Sequence, residues 1–516
     1  MGRVKGSSNK SSGEIREQKR KAHRTLKFVS WIIQLAAEAV LGFLLVRLGM
    51  LSTPLLIAVI VLMVLLLVLT FFLFGLRKKH HHSKFETKHI VGIIISIAVI
   101  AISVFGSFFA SKIIGTVSEV TRPIMPSSTV AVYVLNEDSA TDITHARDYE
   151  FGFSKAYDSE HITSTIDAIN EELTKEIATK EYEDVFSMVN ALLEGEQQAI
   201  ILNKAYASLL DDLEEYEGFL ENTRIIYEKS FVKEIPAEEE DEEEPEKKIS
   251  DGAFIIYLSG SDTRSYYLTT SRSDVNILAA VNPETKEILL VNTPRDYYVP
   301  ISVGGGAYDK LTHCGIYGVD CSRDTLEALY GVDIAYTAQI NFTGVERLVD
   351  AVGGVTVNSD VAFTTYNGYY IDYGENNLNG EAALGFARER YKLSGGDNDR
   401  GRNQMKVLTG VIKKLTSSTA LLENYAGILD SISGMFVTDM SYNNIADLVK
   451  LQLSDGGDWT INNYAVAGRG GSSTSTYSMP GWNLYVMYQN DNAVAKAKYL
   501  MEKVLMGEHL TPEDMI

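Results

Sequence analysis

Cysteine is almost missing from this chain. Cys314 and Cys321 are the only two among 516 residues, so neither a disulfide framework nor a multi-cysteine metal site is encoded. The sequence leaves open whether these two bond to each other. A nucleotide-binding phosphate loop is also missing. The glycine run Val303–Lys310, VGGGAYDK, lacks the spacing and the Lys-Ser/Thr ending of such a loop and reads as a flexible turn, which argues against ATP-dependent chemistry. His313 has no Ser or Cys elbow beside it in the sequence, which argues against a hydrolase triad. There is no internal repeat of solenoid type. Positive charge is scarce over most of the chain, whose net charge is -21. Residues 1–110 hold about 15 Lys/Arg against about 4 Asp/Glu, which leaves roughly -32 on the remainder. That acidic remainder excludes a nucleic-acid partner, which needs a basic footprint to displace counterions, and with it a cytoplasmic DNA-binding regulator.

What the sequence does have is three long apolar runs, at about Phe28–Leu48, Leu55–Leu76 and His89–Ala110. Each is close to the length that crosses a hydrocarbon layer as a helix. Glu38 interrupts the first and reads as a helix-packing residue, since a lone charge in lipid needs a protein partner. Arg16, Lys19, Arg20, Lys21, Arg24 and Lys27 precede the first run, and Arg77, Lys78, Lys79, Lys84 and Lys88 precede the third. The positive-inside rule then places the N-terminus and the second loop in the cytoplasm. With three spans, everything beyond about residue 111 lies outside the cell. The late start of the first run argues against a cleaved signal peptide. The histidines at 80–82 read as part of a polar or headgroup-facing loop in preference to a metal site.

The segment expected outside divides in two. Residues 116–236 mix the apolar strand Thr129–Leu135 with amphipathic helices at His161–Ile177 and Glu183–Leu193. A strand at Gln197–Asn203 and a helix at Tyr206–Leu220 follow. This predicts a small α/β accessory domain without clustered His, Cys or paired carboxylates, hence a binding or spacing module. The run AEEEDEEEPEKK within 237–250 repels itself and reads as a solvated linker. From 251 to 516, strands at Ala253–Leu258, Asp274–Val281 and Lys286–Asn292, and two more at Tyr336–Phe342 and Gly354–Asn358, interleave with helices. Those helices are expected at Arg323–Tyr330, Thr343–Ala351, Gly380–Arg390 and Arg400–Thr416 and near the C-terminus. The fold class is α/β, a central sheet covered by helices.

Strand direction gathers charge at one rim of that sheet. The first strand exits into Asp262, the second begins at Arg272 and Asp274, and the turn NPETK returns the third to the same end with Arg295 and Asp296. A second group lies in FARERYKLSGGDNDRGRNQ. Asn379 caps a helix that ends near Arg388 and Arg390, which cannot share one face. The apolar stripe Val407, Leu408, Val411, Ile412 and Leu415 extends backwards to Gln404 and Arg400. Arg402, Lys406 and Lys413 fall on the other side. Each arginine alone is explained by pairing with Asp262, Asp274, Asp397 or Asp399. Together they outnumber the close carboxylates, and a surplus of guanidinium groups suits pyrophosphate. Two adjacent carboxylates suit Mg²⁺ (or Mn²⁺), which bridges carboxylate and phosphate oxygens. That is the equipment of phosphoryl transfer.

The segments GSDTR, RSDVNILAAVNPETKEILLVNTPRD, ALGFARER and DNDRGRNQ resemble those of the LytR–CpsA–Psr family over about 254–416. The module before them resembles the accessory domain of the family's capsule-associated branch. The resemblance implies an α/β/α sandwich with an apolar groove for a prenyl chain, in a Gram-positive cell-envelope enzyme. It further implies a phosphotransferase that joins polyprenyl-pyrophosphate-linked glycopolymer, capsule or teichoic acid, to peptidoglycan, possible contact with the export machinery included. Asp262 and Asp274 match the family's magnesium carboxylates. Arg272, Arg295, Arg388, Arg390, Arg400 and Gln404 match its pyrophosphate set, with Asp397 at its acidic loop position. Arg295, Asp397, Arg388 and Arg390 are the expected catalytic groups. Asp397 and a metal-polarised hydroxyl are the candidate bases. The family often carries a basic or Gln residue beside Arg402, where this chain has Asn403. Two rivals use the same features: a pyrophosphatase with water as acceptor, and a non-enzymatic regulator of polymer length or export.

Overall fold

The computed structural model describes residues 12–49, 51, 53–75, 87–120, 127–155, 158–210, 213–216, 218–232, 252–263, 268–416, 428 and 430–515. The histidine run at 80–82, the basic residues at 77–79 and 84, the linker at 237–250 and Arg264 lie outside the described residues. Two compact units are formed, one by Met1–Ser118 with Ile445–Gly456 and the other by Glu119–Asn444 with Gly457–Ile516.

In the first unit, helices α1 (Ser12–Leu48), α2 (Thr53–Phe74) and α3 (Thr87–Val120) carry the apolar runs. Among the described residues, three stretches are long and apolar enough to cross a membrane: Ala22–Leu48, Pro54–Phe74 and Thr87–Gly115. Their side chains stay exposed although apolar, Phe43, Leu65 and Phe105 among them. A helix satisfies its own backbone, so such a surface suits lipid. Glu38 is buried and accepts a hydrogen bond from Gln34 Nε2 at 2.8 Å, the packing role expected of it.

The second unit begins with strands β1 (Ser127–Leu135) and β2 (Glu150–Ser154), helix α4 (Ser159–Leu173), β3 (Ala178–Tyr182), α5 (Val185–Leu193), β4 (Ala199–Asn203), α6 (Lys204–Leu210), α7 (Phe219–Asn222) and β5 (Thr223–Val232). These build a five-stranded sheet in the order β3-β2-β4-β1-β5. β2 runs parallel to β3 and β4, while β1 is antiparallel to both of its neighbours. The α/β reading of this segment holds. The helix expected over Tyr206–Leu220 stops at Leu210. β5, whose sequence TRIIYEKSFV lacks strict alternation, pairs along the whole of β1.

The remainder starts with β6 (Phe254–Ser261), β7 (Ser273–Asn282), β8 (Glu287–Asn292), β9 (Tyr297–Pro300), β10 (Tyr308–Lys310), α8 (Leu311–Cys314), α9 (Val319–Tyr330), β11 (Tyr336–Asn341) and α10 (Phe342–Ala351). It continues with β12 (Val355–Ser359), β13 (Phe363–Thr364), β14 (Tyr370–Ile371), β15 (Gly374–Leu378), α11 (Gly380–Arg388) and α12 (Asp397–Thr416). β16 (Phe436–Thr438), β17 (Thr460–Ala465), β18 (Gly468–Ser473), β19 (Leu484–Gln489) and α14 (Asp491–Leu505) complete it, while α13 (Tyr442–Asp455), between β16 and β17 in the chain, belongs from Ile445 onwards to the first unit. The central mixed sheet has the order β16-β11-β6-β7-β8-β17, and β7 and β8 form the expected antiparallel hairpin. The strand expected at Gly354–Asn358 is β12, which leaves this sheet and pairs with β15 in a separate ribbon.

Helices cover both faces. Tyr257, Leu278, Ala280, Leu289 and Val291 point to one side and pack with Leu326 of α9 and Ala497, Leu500 and Val504 of α14. Burying each large side chain there stabilises the fold by about 1.5–3 kcal/mol. Successive side chains of a strand alternate in face, and Asn292 on the opposite face meets Gly401 of α12. The layering is α/β/α. The small sheet β10-β9-β19-β18 was not foreseen, because GRGGSS in β18 offers almost no side-chain pattern and its place depends on pairing with β19.

Candidate functional site

Strand register brings four strand ends to one rim. Ser261 at the end of β6 lies opposite Asn341, the last residue of the parallel strand β11. Ser273 opens β7 opposite Ser261, and Asn292 closes β8 opposite Ile277. The residues just outside these positions are Asp262, Phe342, Arg272 and the Thr293–Asp296 turn. In open α/β sheets, ligands bind in the crevice outside the carboxyl ends of strands.

Three ion pairs occupy the rim. Arg272 Nη2 donates to Asp262 Oδ2 at 2.9 Å, Arg295 Nη1 to Asp274 Oδ1 at 2.6 Å, and Arg400 Nη2 lies 2.6 Å from Asp397 Oδ1. All three arginines are buried. Burial, followed by the charge of Asp274, pushes the Asp262 carboxyl above the ordinary aspartate range, against the pull of Arg272 and Arg295. The Asp397 carboxyl is raised as well, by burial first and then by Asp296 and Asp274 against Arg400 and Arg295. These mutual influences place Asp262, Asp274, Asp296, Asp397 and Arg295 in one electrostatic cluster.

Lys310 joins it. It is buried, and its Nζ lies 2.9 Å from Asp296 Oδ1, while Arg295 Nε is 3.6 Å from the same oxygen. The glycine run read as a flexible turn in fact ends in the three-residue strand β10, paired to β9, which delivers this lysine. A segment so short gives no periodic signal. Thr312 Oγ1 also reaches Asp274, at 3.4 Å.

Arg388 and Arg390 differ from the other arginines. α11, capped by Asn379 through the backbone N–H of Ala382, ends at Arg388, and Glu389 is already extended. The Arg388 guanidinium lies 4.4 Å from the ring centre of Phe342 and 4.8 Å from that of Tyr366, and donates to the Tyr366 hydroxyl at 2.9 Å. Arg390 rests on Tyr391 and donates to its hydroxyl at 2.6 Å. Among the described residues neither pairs with a carboxylate. Phe342 follows Asn341 directly, so Arg388 stands at the rim beside the end of β6. Arg390 contacts none of the other site residues among those described.

On α12 the buried line is Arg400, Asn403, Val407 and Val411, and Gln404 is only half-buried. Stepping back three from Val407 reaches Gln404, but stepping back four reaches Asn403, which donates to the Phe386 carbonyl at 3.3 Å. Asn403, not Gln404, continues the inward face. Arg402 is exposed and pairs with Asp399, as its position outside the stripe implies.

His313 does acquire a serine in space. Its Nδ1 lies 2.7 Å from Asp309 Oδ1 and 2.9 Å from Ser478 Oγ, and Ser478 donates its hydroxyl and backbone N–H to Asp309. Burial opposes the Asp309 charge, yet His313 and Ser478 hold its carboxyl below the usual range. Asp309 and His313 are fully buried, so the group staples the loop at 478 to α8 and meets no substrate. Cys314 and Cys321 are buried free thiols. Their contact drives Cys321 down to about 7 and Cys314 up.

Two predictions arise here. A Cβ on Gly315 would overlap the Ser271 carbonyl and the Ser273 backbone nitrogen, the segment that carries Arg272. Gly315→Ala is expected to lower stability by about 1–3 kcal/mol, the cost of overpacking, with a denaturant titration as the check. The second concerns pH. Because the folded Asp397 pKa is raised, the native state keeps a proton that the unfolded chain has already lost. Stability contributed by this group therefore falls as pH climbs from the ordinary aspartate range through the raised value. Asp397→Asn should remove that decline, so the melting temperature of the variant gains on the parent as pH rises above the ordinary aspartate range.

The fold is an α/β/α sandwich with a cluster of buried arginines and aspartates at one rim of its central sheet. The model of the LytR_cpsA_psr family matches residues 225–496, more than half of the chain, which belongs to that family. Similar proteins include the polyisoprenyl-teichoic acid–peptidoglycan teichoic acid transferase TagU of Enterococcus faecalis, 37% identical over 194 residues, or 37% of this chain and 63% of that protein. TagU of Bacillus mycoides is 37% identical over 196 residues, 38% of this chain and 63% of its own length. The match thus spans just under two thirds of these relatives. Among solved structures, B. subtilis TagV is 22% identical with a TM-score of 0.42, covering 50% of this chain and 99% of that one.

Proposed function

We propose that this chain is a membrane-anchored phosphotransferase that moves a polyprenyl-pyrophosphate-linked glycopolymer, capsular polysaccharide or wall teichoic acid, onto peptidoglycan. The named activity of the relatives supports this reading. The observation that carries it is the pair of half-exposed guanidinium groups, Arg388 and Arg390, that no described carboxylate neutralises. Free guanidinium at the rim of a charged cleft is suited to a polyanion such as pyrophosphate.

In the step proposed, a hydroxyl of the wall sugar attacks the sugar-linked phosphorus. A new P–O bond forms, the bridging P–O bond of the pyrophosphate breaks, and prenyl phosphate leaves. The proton of the hydroxyl passes to a base, for which Asp397, with its raised pKa, is the candidate in the cluster. Arg388 and Arg390 grip the pyrophosphate, and Arg272, Arg295 and Arg400 fix the carboxylates in place. Asp262 and Asp274, close enough that the charge of Asp274 helps raise the Asp262 carboxyl, fit a divalent cation. They would hold Mg²⁺ (or Mn²⁺), which usually takes one or two carboxylates together with substrate phosphates and would supply positive charge to the pyrophosphate oxygens. The three apolar helices, with the basic residues flanking them, support an anchor with the catalytic part outside the cell, where peptidoglycan and the polymer export machinery are the partners.

The test uses the full chain in detergent micelles with a polyprenyl-pyrophosphate saccharide, peptidoglycan fragments and Mg²⁺. Mass spectrometry should detect phosphodiester-linked product. Prenyl phosphate released without linkage would make the chain a pyrophosphatase, and lipid bound without turnover would make it a regulator.

A further inference from the structure

Where the accessory domain meets the segment that follows it, the second unit holds a polar cavity that the transferase chemistry does not use. A space of about 140 Å³ is lined by Ser128, His161, Asn203, Ala205, Phe231, Thr270, Ile316 and Tyr317. Four of its polar groups come from distant points of the sequence, which is why no motif announced them. Topology explains their meeting. β2 and β4 are parallel neighbours; the carboxyl end of β2 leads towards α4, where His161 stands, and Asn203 closes β4. β1 is antiparallel to β4 and opposes Asn203 with Val130, so Ser128 at its beginning lies at the same end. In sheets with parallel strands this is the end at which ligands bind.

Asp158 organises the group. Its carboxylate accepts from Ser128 Oγ at 3.2 Å, contacts His161 Nδ1 at 2.5 Å and accepts from Asn203 Nδ2, which also donates to Ser128 Oγ at 2.8 Å. Asp158 is the N-cap residue of α4, yet its side chain makes no capping hydrogen bond and its backbone is left-handed, with φ 62° and ψ 43°. An aspartate at this position ordinarily adopts an extended backbone and caps the helix, an interaction worth about 1 kcal/mol. Here the cap is forgone and a disfavoured conformation accepted, so that one carboxylate can hold three cavity-lining side chains. Strain of this kind clusters at binding sites.

The lining identifies the ligand class. The His161 and Phe231 rings lie 4.5 Å apart at 35°, and Tyr317 adds a third aromatic group. Hydroxyl, amide and imidazole groups sit beside these flat apolar faces. Among the described residues no Lys or Arg lines the cavity, and the adjacent Lys229 is engaged by the Ser164 carbonyl and the Phe231 ring. A phosphate or a free amino acid would leave its anion without a cation. A neutral pyranose presents hydroxyls at its rim and C–H groups on its faces, which the lining matches. The cavity is small, on the scale of a single ring. We propose that this cavity binds a single sugar unit of a glycan, with Asp158 as the positioning residue for Ser128, His161 and Asn203.

The sugar could belong to peptidoglycan or to the transferred polymer, and both kinds of probe are used. Saturation-transfer NMR on the full chain in detergent, with methyl N-acetylglucosaminide as the neutral sugar of peptidoglycan and with methyl hexosides, should show binding of at least one probe in the millimolar range. Asp158→Gly removes the carboxylate while keeping a residue that tolerates positive φ, and Phe231→Leu removes an aromatic face. Each is expected to weaken binding at least tenfold with the melting temperature little changed. Should Asp158→Gly fail to fold, Phe231→Leu decides. The proposal is overturned if no probe gives saturation transfer, or if a folded variant binds as the parent does.

Discussion

Arg295→Ala should leave glycopolymer transfer at about a thousandth of the parent rate or less, in line with the loss of a charge-stabilising group in phosphoryl and acyl transfer. Arg295 lies in the middle of the cluster. It donates to Asp274 at 2.6 Å and stands 3.6 Å from Asp296, and its charge also acts on Asp262 and Asp397. Without it, four carboxylates share Arg272, Lys310 and Arg400, and the rim loses the cation that lets an anionic substrate approach. Stability should drop too, by about 3–5 kcal/mol, because a buried acid is left without its partner. Arg295→Lys separates the two effects. A lysine keeps the charge but lacks the fork that spans both Asp274 and Asp296, so activity should fall about 10–100-fold with stability largely kept. Rates come from mass spectrometry of linked product and stability from denaturant titration. Parental activity in Arg295→Ala would remove this rim from the reaction.

Much of that rim could be read before any coordinates. Strands with clear apolar runs, β6, β7 and β8, fixed the direction of the chain, and direction alone put Asp262, Asp274 and Arg295 together. The helix end between Arg388 and Arg390 followed from their spacing. What escaped had no local signal. Lys310 arrives on a three-residue strand whose place depends on pairing with β9. β17 and β18 read TINNYA and GRGGSS, polar or nearly without side chains, and are strands because a neighbour offers hydrogen bonds. On α12 the stripe allows steps of three or four, so the sequence alone did not show that Asn403 is buried more deeply than Gln404. The Asp158 group is the strongest case, since Ser128 and Asn203 are 75 residues apart and only the sheet order joins them.

Arg388→Ala tests the other half of the site, where charge is uncompensated. Removing a paired arginine strands a carboxylate, whereas removing Arg388 strands nothing among the described residues. It forfeits two cation–π contacts, each worth about 0.5–1 kcal/mol at exposed sites, and one hydrogen bond to Tyr366. The melting temperature should therefore change little. Transfer should nonetheless fall about 100–1,000-fold, the scale for deleting one donor to developing charge, since the only evident work of that guanidinium is to meet an anion. Arg402→Ala is the matched control. Arg402 lies two residues from Arg400 but outside the buried line, and pairs with Asp399 at the surface, where an ion pair contributes about 0–1 kcal/mol. Its loss should leave both transfer and lipid binding near parental values. The comparison is made at equal pyrophosphate-lipid and Mg²⁺ concentrations, with product counted by mass spectrometry and lipid affinity by calorimetry. If Arg388→Ala and Arg402→Ala behave alike, the anion is held elsewhere, and the unpaired guanidinium belongs to the surface.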